Sequence, residues 1–109
     1  MKRIIYAGSE FMTGDDIATA LLRYSAALAE VGEAQTVTIP SFQEDGSIGS
    51  VDLLVGPASQ IVAIHAGTGE QDLVDEGIVA ELEARTRRLR PVAVVDPEPP
   101  VDVDFDRDV

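Results

Sequence analysis

Cysteine and tryptophan are missing from this chain of 109 residues, and histidine occurs once. Without cysteine there is no disulfide, no thiol nucleophile and no zinc–thiolate site. Basic residues are scarce as well: eight Lys and Arg stand against 20 Asp and Glu, a formal net charge of −12. Such an excess repels phosphate backbones and anionic lipid surfaces at long range, so neither nucleic acid nor a membrane is an expected partner, and a basic protein suits the field better. No apolar run reaches the length that crosses a bilayer. The opening MKRIIYAGSE has only a brief apolar run, interrupted by glycine and serine, and reads as a strand and not a signal peptide. A cytoplasmic location is the expectation, with no cofactor and no metal site.

What is present suffices for one core. Hydrophobic residues make up 45% of the chain, enough for a single domain of this length. We expect that domain over residues 1–95, followed by an acidic Pro/Asp-rich tail over 96–109 that holds six acids and one base.

After a first strand near Lys2–Ala7, TGDDIATALLRYSAALAEVG carries the best helix signal. Thr13 and Asp16 have capping-box spacing, and Gly32 is placed to end the helix. Ile17, Leu21, Tyr24, Leu28 and Val31 draw one apolar stripe along it. Ala18, Leu22, Ser25 and Ala29 form a second stripe of mostly small residues, which packs on the other helix or forms a seam between two copies. Three β-rich runs come next, near Thr36–Phe42, Ile48–Val55 and Gln60–Ala66, with Asp45-Gly46 as a strong hairpin signal between the first two. They predict an antiparallel meander with one face wet, or covered only on assembly. EQDLVDEGIVAELEARTRRL then places acids at the start of a second helix and arginines at its end, the order its dipole favours, with a break or kink expected at Gly77. PVAVVD, residues 91–96, reads as a strand apolar on both faces. The predicted fold is α+β, a two-layer sandwich of order β-α-β-β-β-α-β. Its sheet is mixed with a central antiparallel meander, and both helices cover one face.

Candidate chemistry is sparse. GSEFMTGDD joins the first strand to the first helix, where phosphate-binding loops occur. Glu10, Asp15 and Asp16 would repel an anion there, and no Walker lysine follows. His65 is the one histidine, and with Ser9, Glu10 and Thr68 it defines a candidate pocket, provided the loops after the first and fourth strands meet at one sheet edge. No G-x-S-x-G motif accompanies it. GPASQ reads as a turn. Arg85, Arg87, Arg88 and Arg90 form the one basic cluster, and in so acidic a chain they suit salt bridges better than nucleic acid.

The tail VDVDFDRDV alternates Val101, Val103 and Phe105 with aspartates. Its acids match the first odd positions of a calcium loop, but Arg107 occupies the glycine site and the twelfth-position glutamate is missing, so an EF-hand is excluded. It is either a solvated tail or a strand that docks on an edge or groove. The leading functional expectation is a non-catalytic protein-interaction or oligomerisation module. It would act through the second stripe of the first helix and through Val101, Val103 and Phe105, by self-association or with a basic partner. The alternative is a small ligand-binding domain or enzyme at the His65 pocket.

Overall fold

The computed structural model describes residues 1–66 and 72–89. The elements in chain order are β1 (Lys2–Tyr6), β2 (Ser9–Thr13), α1 (Asp15–Val31), β3 (Gln35–Phe42), β4 (Ile48–Val55), β5 (Ile61–His65) and α2 (Glu76–Leu89). They form one five-stranded sheet of order β4-β3-β2-β1-β5 with two helices, an α+β fold as the sequence predicts. The expected strand over 91–96 and the tail lie outside the described residues.

Two features of the sheet differ from expectation. The first is β2, which occupies part of the stretch read as a strand-to-helix loop. A two-residue turn at Ala7 and Gly8, with φ of 52° and 82°, folds β2 back on β1. Two consecutive left-handed residues match the right-handed twist of a hairpin, and glycine takes the second position without penalty. The second is β5, which pairs with β1 and not with β4, so the meander is split between the two ends of the sheet. Every pairing among the described residues is antiparallel, so the parallel component of a mixed sheet is not found there.

The sheet is strongly coiled. Arg3, Met12, Phe42 and Ile48 are successive partners and therefore level with one another. From that level Tyr6 lies three residues up β1, while Leu54 lies six residues down β4. In a flat sheet these two would be about 30 Å apart along the strands. Instead the Tyr6 hydroxyl donates to the Leu54 carbonyl and lies 3.1 Å from Ser59 Oγ, which accepts from Gly56 N–H. The sheet thus closes on itself at one point. The bend is accommodated at the β2–β3 junction, where Met12–Phe42 is the one registered pair. There Pro40 has no N–H to offer, and its carbonyl accepts from the buried Thr13 hydroxyl at 2.8 Å.

α1 covers the inner face. Its residues Ile17, Leu21 and Leu28 are fully buried against Val37, Ile39, Leu53 and Val55 of β3 and β4. Gly32 ends it, with N–H bonds running back to Ala29 and Leu28. The expected capping box does not form, because Thr13 is turned toward Pro40. The cap residue is Gly14, and Asp15 N–H finds Asp72 Oδ1 at 3.2 Å instead. A Cβ at residue 14 would overlap the Leu73 carbonyl, so glycine here admits the 72–75 strap across the helix start. α2 begins only at Glu76, capped by Asp75, whose Oδ1 accepts from Ile78 N–H at 3.1 Å. Gly77 therefore sits in the first turn and produces no mid-helix break. α2 packs on α1 and contributes Leu82 to the same core.

Candidate functional site

Of the residues expected around His65, the structure does not bring Ser9 and Glu10 to it. Ser9 is paired with Tyr6 and Glu10 with Ile5, at one end of β1, whereas His65 is paired with Lys2 at the other. Four residue steps along β1 separate the two ends, about 13 Å. Glu10 also points to the outer face while Ser9 and His65 point to the inner one, and Thr68 lies outside the described residues. His65 is exposed and belongs to a different group. The Met1 amine lies 2.8 Å from Asp15 Oδ1 and 3.1 Å from Asp72 Oδ1, with Lys2 and His65 near enough to act on Asp15. The amine holds the Asp15 carboxyl below its ordinary range, and Asp15 raises the amine above its own, partly opposed by desolvation. These charges pair with one another and fasten the 72–75 strap to the start of α1.

The small-residue stripe of α1 is not an open seam. Ala18 is fully buried, Leu22 and Ser25 are half-buried, and only Ala29 is exposed. Val101, Val103, Phe105 and Arg90 lie outside the described residues. Of the remaining arginines, Arg85 meets Glu81 at 2.6 Å and lies over the Tyr24 ring, 5.8 Å from its centroid, in line with the salt-bridge role read from its sequence.

The surface that stands out includes the face of β3 and β4 that the sequence marks as wet, or covered only on assembly, but its apolar row was not singled out there. On the outer face, side chains of directly opposed residues align across the sheet. Ile64, Arg3, Met12, Phe42 and Ile48 form one row through all five strands. Val62 and Ile5 flank it on β5 and β1. Ile48, Leu54, Val62 and Ile64 are 60%, 62%, 50% and 38% exposed. Apolar groups left this open in a chain of 20 acids mark a contact surface more readily than scattered residues do. The rest of the outer face is polar: Thr36, Thr38, Ser50 and Asp52, with Thr38 donating to Asp52 at 2.7 Å. The only sequence sign of the row was the parity of β4, where Ile48 and Leu54 share the side of Ser50 and Asp52.

A cleft of about 570 Å³ opens beside this face, where the coiled sheet closes. Ile5, Leu54, Val62 and Pro57 line it, with Tyr6, Ser59 and Gln60 as its polar groups. No group of His, Asp and Glu arranged to hold a metal ion occurs among the described residues. No described helix is long and apolar enough to cross a membrane. No protein-family model, curated protein or solved structure matches this chain.

Proposed function

We propose that this protein acts by binding, as a small acidic interaction module whose contact surface is the outer sheet face and the adjoining edge of β4. The exposed Ile48, Leu54, Val62 and Ile64 carry this reading, because these aliphatic side chains of the outer face are open among the described residues, while Met12 and Phe42 between them are half-buried. Three charged residues, Arg3, Glu10 and Asp52, share that face, so it is close to neutral within a strongly anionic chain. Self-association and a basic partner remain the two proposed modes, and the cytoplasm the proposed location. Ser9 and Glu10 lie toward the other end of β1 from His65, which favours binding over catalysis at that set.

The test is sedimentation across the micromolar range together with affinity capture, for the parent chain and for Ile48→Asp. The expected result is association that the aspartate abolishes while the fold is kept. A parent chain that stays monomeric and captures nothing overturns the reading. The cleft at Tyr6 and Ser59 favours one second reading, a binding site for an uncharged, mainly apolar ligand. Thermal shift against such compounds checks it, with Tyr6→Phe expected to weaken any shift observed.

A further inference from the structure

We infer that the cleft beside the outer face is an anchor socket for a basic partner: it takes a large apolar side chain, aromatic or aliphatic, carried on a segment rich in lysine or arginine. This rests on the binding reading and names the chemistry of the partner.

The socket is preformed and uncharged. The end of β1, the 56–60 turn and the end of β4 border a cleft of about 570 Å³, and no charged side chain lines it, in a chain of which 26% is charged. Its hydroxyls are satisfied within the protein. Tyr6 donates to the Leu54 carbonyl and lies 3.1 Å from Ser59 Oγ, which accepts from Gly56 N–H at 2.9 Å, while Ser59 N–H returns to the Gly56 carbonyl at 3.0 Å. Gly56 lets this turn close on the connection between α1 and β3, since a Cβ there would fall 2.9 Å from the Ala34 Cβ. With its hydroxyls already paired, the cleft favours an occupant that brings apolar surface and few hydrogen-bonding groups.

The occupant follows from how open the cleft is and from the charges around it. Leu54 and Val62 are 62% and 50% exposed, so the walls do not close over a free small molecule, which a ligand pocket buries almost wholly. Both residues, with Ile5, belong also to the outer face. A side chain entering the cleft from a segment laid across that face is covered by the segment's own backbone, as interface anchors are. Acids border the site. Glu10 is registered opposite Ile5, Asp52 precedes Leu54 by two residues on the same face, and Glu33 adjoins Ala34 of the lining. Among the described residues of the outer face Arg3 is the one base, two residues from Ile5 on β1. The excess is negative here as it is over the whole chain, so a cation beside the anchor is attracted and an acid repelled.

Labelled peptides test this on the full chain, by fluorescence anisotropy and by amide chemical shifts. The probe is a soluble peptide with a Phe-Leu centre between pairs of lysines. One control replaces Phe-Leu by Ala-Ala, and another replaces every lysine by glutamate. The probe is expected to bind about tenfold or more tightly than either control, and to shift the amides of residues 5–8 and 56–62. Val62→Asn, at a half-exposed position, is expected to weaken the probe about tenfold, and Glu10→Gln about threefold, with the circular dichroism unchanged. Ile48→Asn, six residues from Leu54 on β4, is expected to leave it intact. Equal binding of the alanine control overturns the socket, because charge alone then suffices, and equal binding of the glutamate control removes the basic partner. N-acetylphenylalanine amide binding as tightly as the probe overturns it too, and leaves the cleft as a site for a small apolar ligand. A probe that is lost in Ile48→Asn but not in Val62→Asn sits on the outer row, which overturns the socket while keeping the binding reading. A probe that does not bind at all overturns the socket, and affinity capture with the parent chain then decides the binding reading by itself.

Discussion

The two faces of the sheet are both rich in aliphatic side chains, yet they have opposite fates. On the inner face Ile4, Ile39 and Val55 are fully buried, and Val37 and Leu53 nearly so. On the outer face Ile48, Leu54, Val62 and Ile64 are at least a third exposed. Apolar content does not explain the difference. The covering helix does: α1 buries seven of its 17 residues, among them Ile17, Leu21 and Leu28 against the inner face. Nothing comparable lies over the outer one among the described residues. The inner face supplies stability to one copy of the chain. The outer face has apolar surface left to bury against something else.

That contrast is broken most directly by truncating one side chain on each face. Leu21→Ala removes a fully buried side chain from the centre of α1 and is expected to cost about 2–5 kcal/mol, the range for a leucine whose cavity closes only in part. Ile64→Ala, on the outer face, is expected to change the stability of the isolated chain by less than about 1 kcal/mol. Urea unfolding at low protein concentration checks both. Equal losses would mean that the outer row is covered within a single copy, and the binding reading would lose its main support.

A second, smaller break targets the device that seats α1. Gly14→Ala forces a methyl group into the Leu73 carbonyl, and either the strap or the helix start must move. The expected loss is about 1–3 kcal/mol, with faster amide exchange confined to residues 72–75 and the first turn of α1. The outer face does not depend on this contact, so association through it should survive the change.

The ion pairs at the same place give a pH dependence of known sign. Asp15 has a folded pKa below its ordinary 3.8, so its contribution is complete above that value and is lost as pH falls through the lower, folded one. The Met1 amine has a folded pKa above its ordinary 8.0, so its contribution is complete below 8.0 and is lost as pH rises through the higher value. The strap is therefore held best between the two. In Asp15→Asn both ends of this window are expected to flatten when stability is followed against pH. An unchanged profile would show that the amine pair does not fasten the strap.

Much of this architecture was legible in the sequence, for physical reasons that differ by element. α1 announces itself through a sustained 3.6-residue period, and β3 and β4 through alternation either side of Asp45-Gly46, where Asp45 Oδ1 accepts from Ser47 N–H at 2.9 Å. β2 was hidden because its turn is Ala7-Gly8 and not Asn-Gly or Asp-Gly, and because Thr13, with Asp16, reads as a helix entry. The pairing of β5 with β1 is a long-range choice that no local pattern encodes. Beyond the wet face and the parity of β4, the outer row could not be read without register, since its five members come from five strands and share no spacing. The set at His65 met the same difficulty: it assumed that two strand ends shared an edge, whereas the pairings of β1 with β2 and β5 place Ser9 and His65 at opposite ends.

The hairpin that sets this register also offers the smallest test. Ala7 holds a left-handed φ of 52° without being glycine, a conformation that brings its Cβ against its own backbone. Asparagine tolerates this region better than alanine, and Asn-Gly is the preferred pair for such a turn. Ala7→Asn is expected to raise stability by about 0.5–1 kcal/mol, read as a higher urea midpoint with an unchanged slope. Because the Ala7–Gly8 turn fixes Arg3 opposite Met12, and that pair stands at the middle of the outer row, the substitution should tighten the row without altering its members. Association through the outer face should then be unchanged or slightly stronger. A loss of stability would mean that the turn is not the two-residue left-handed one. The alignment of Ile64 with Ile48 across five strands would then no longer follow.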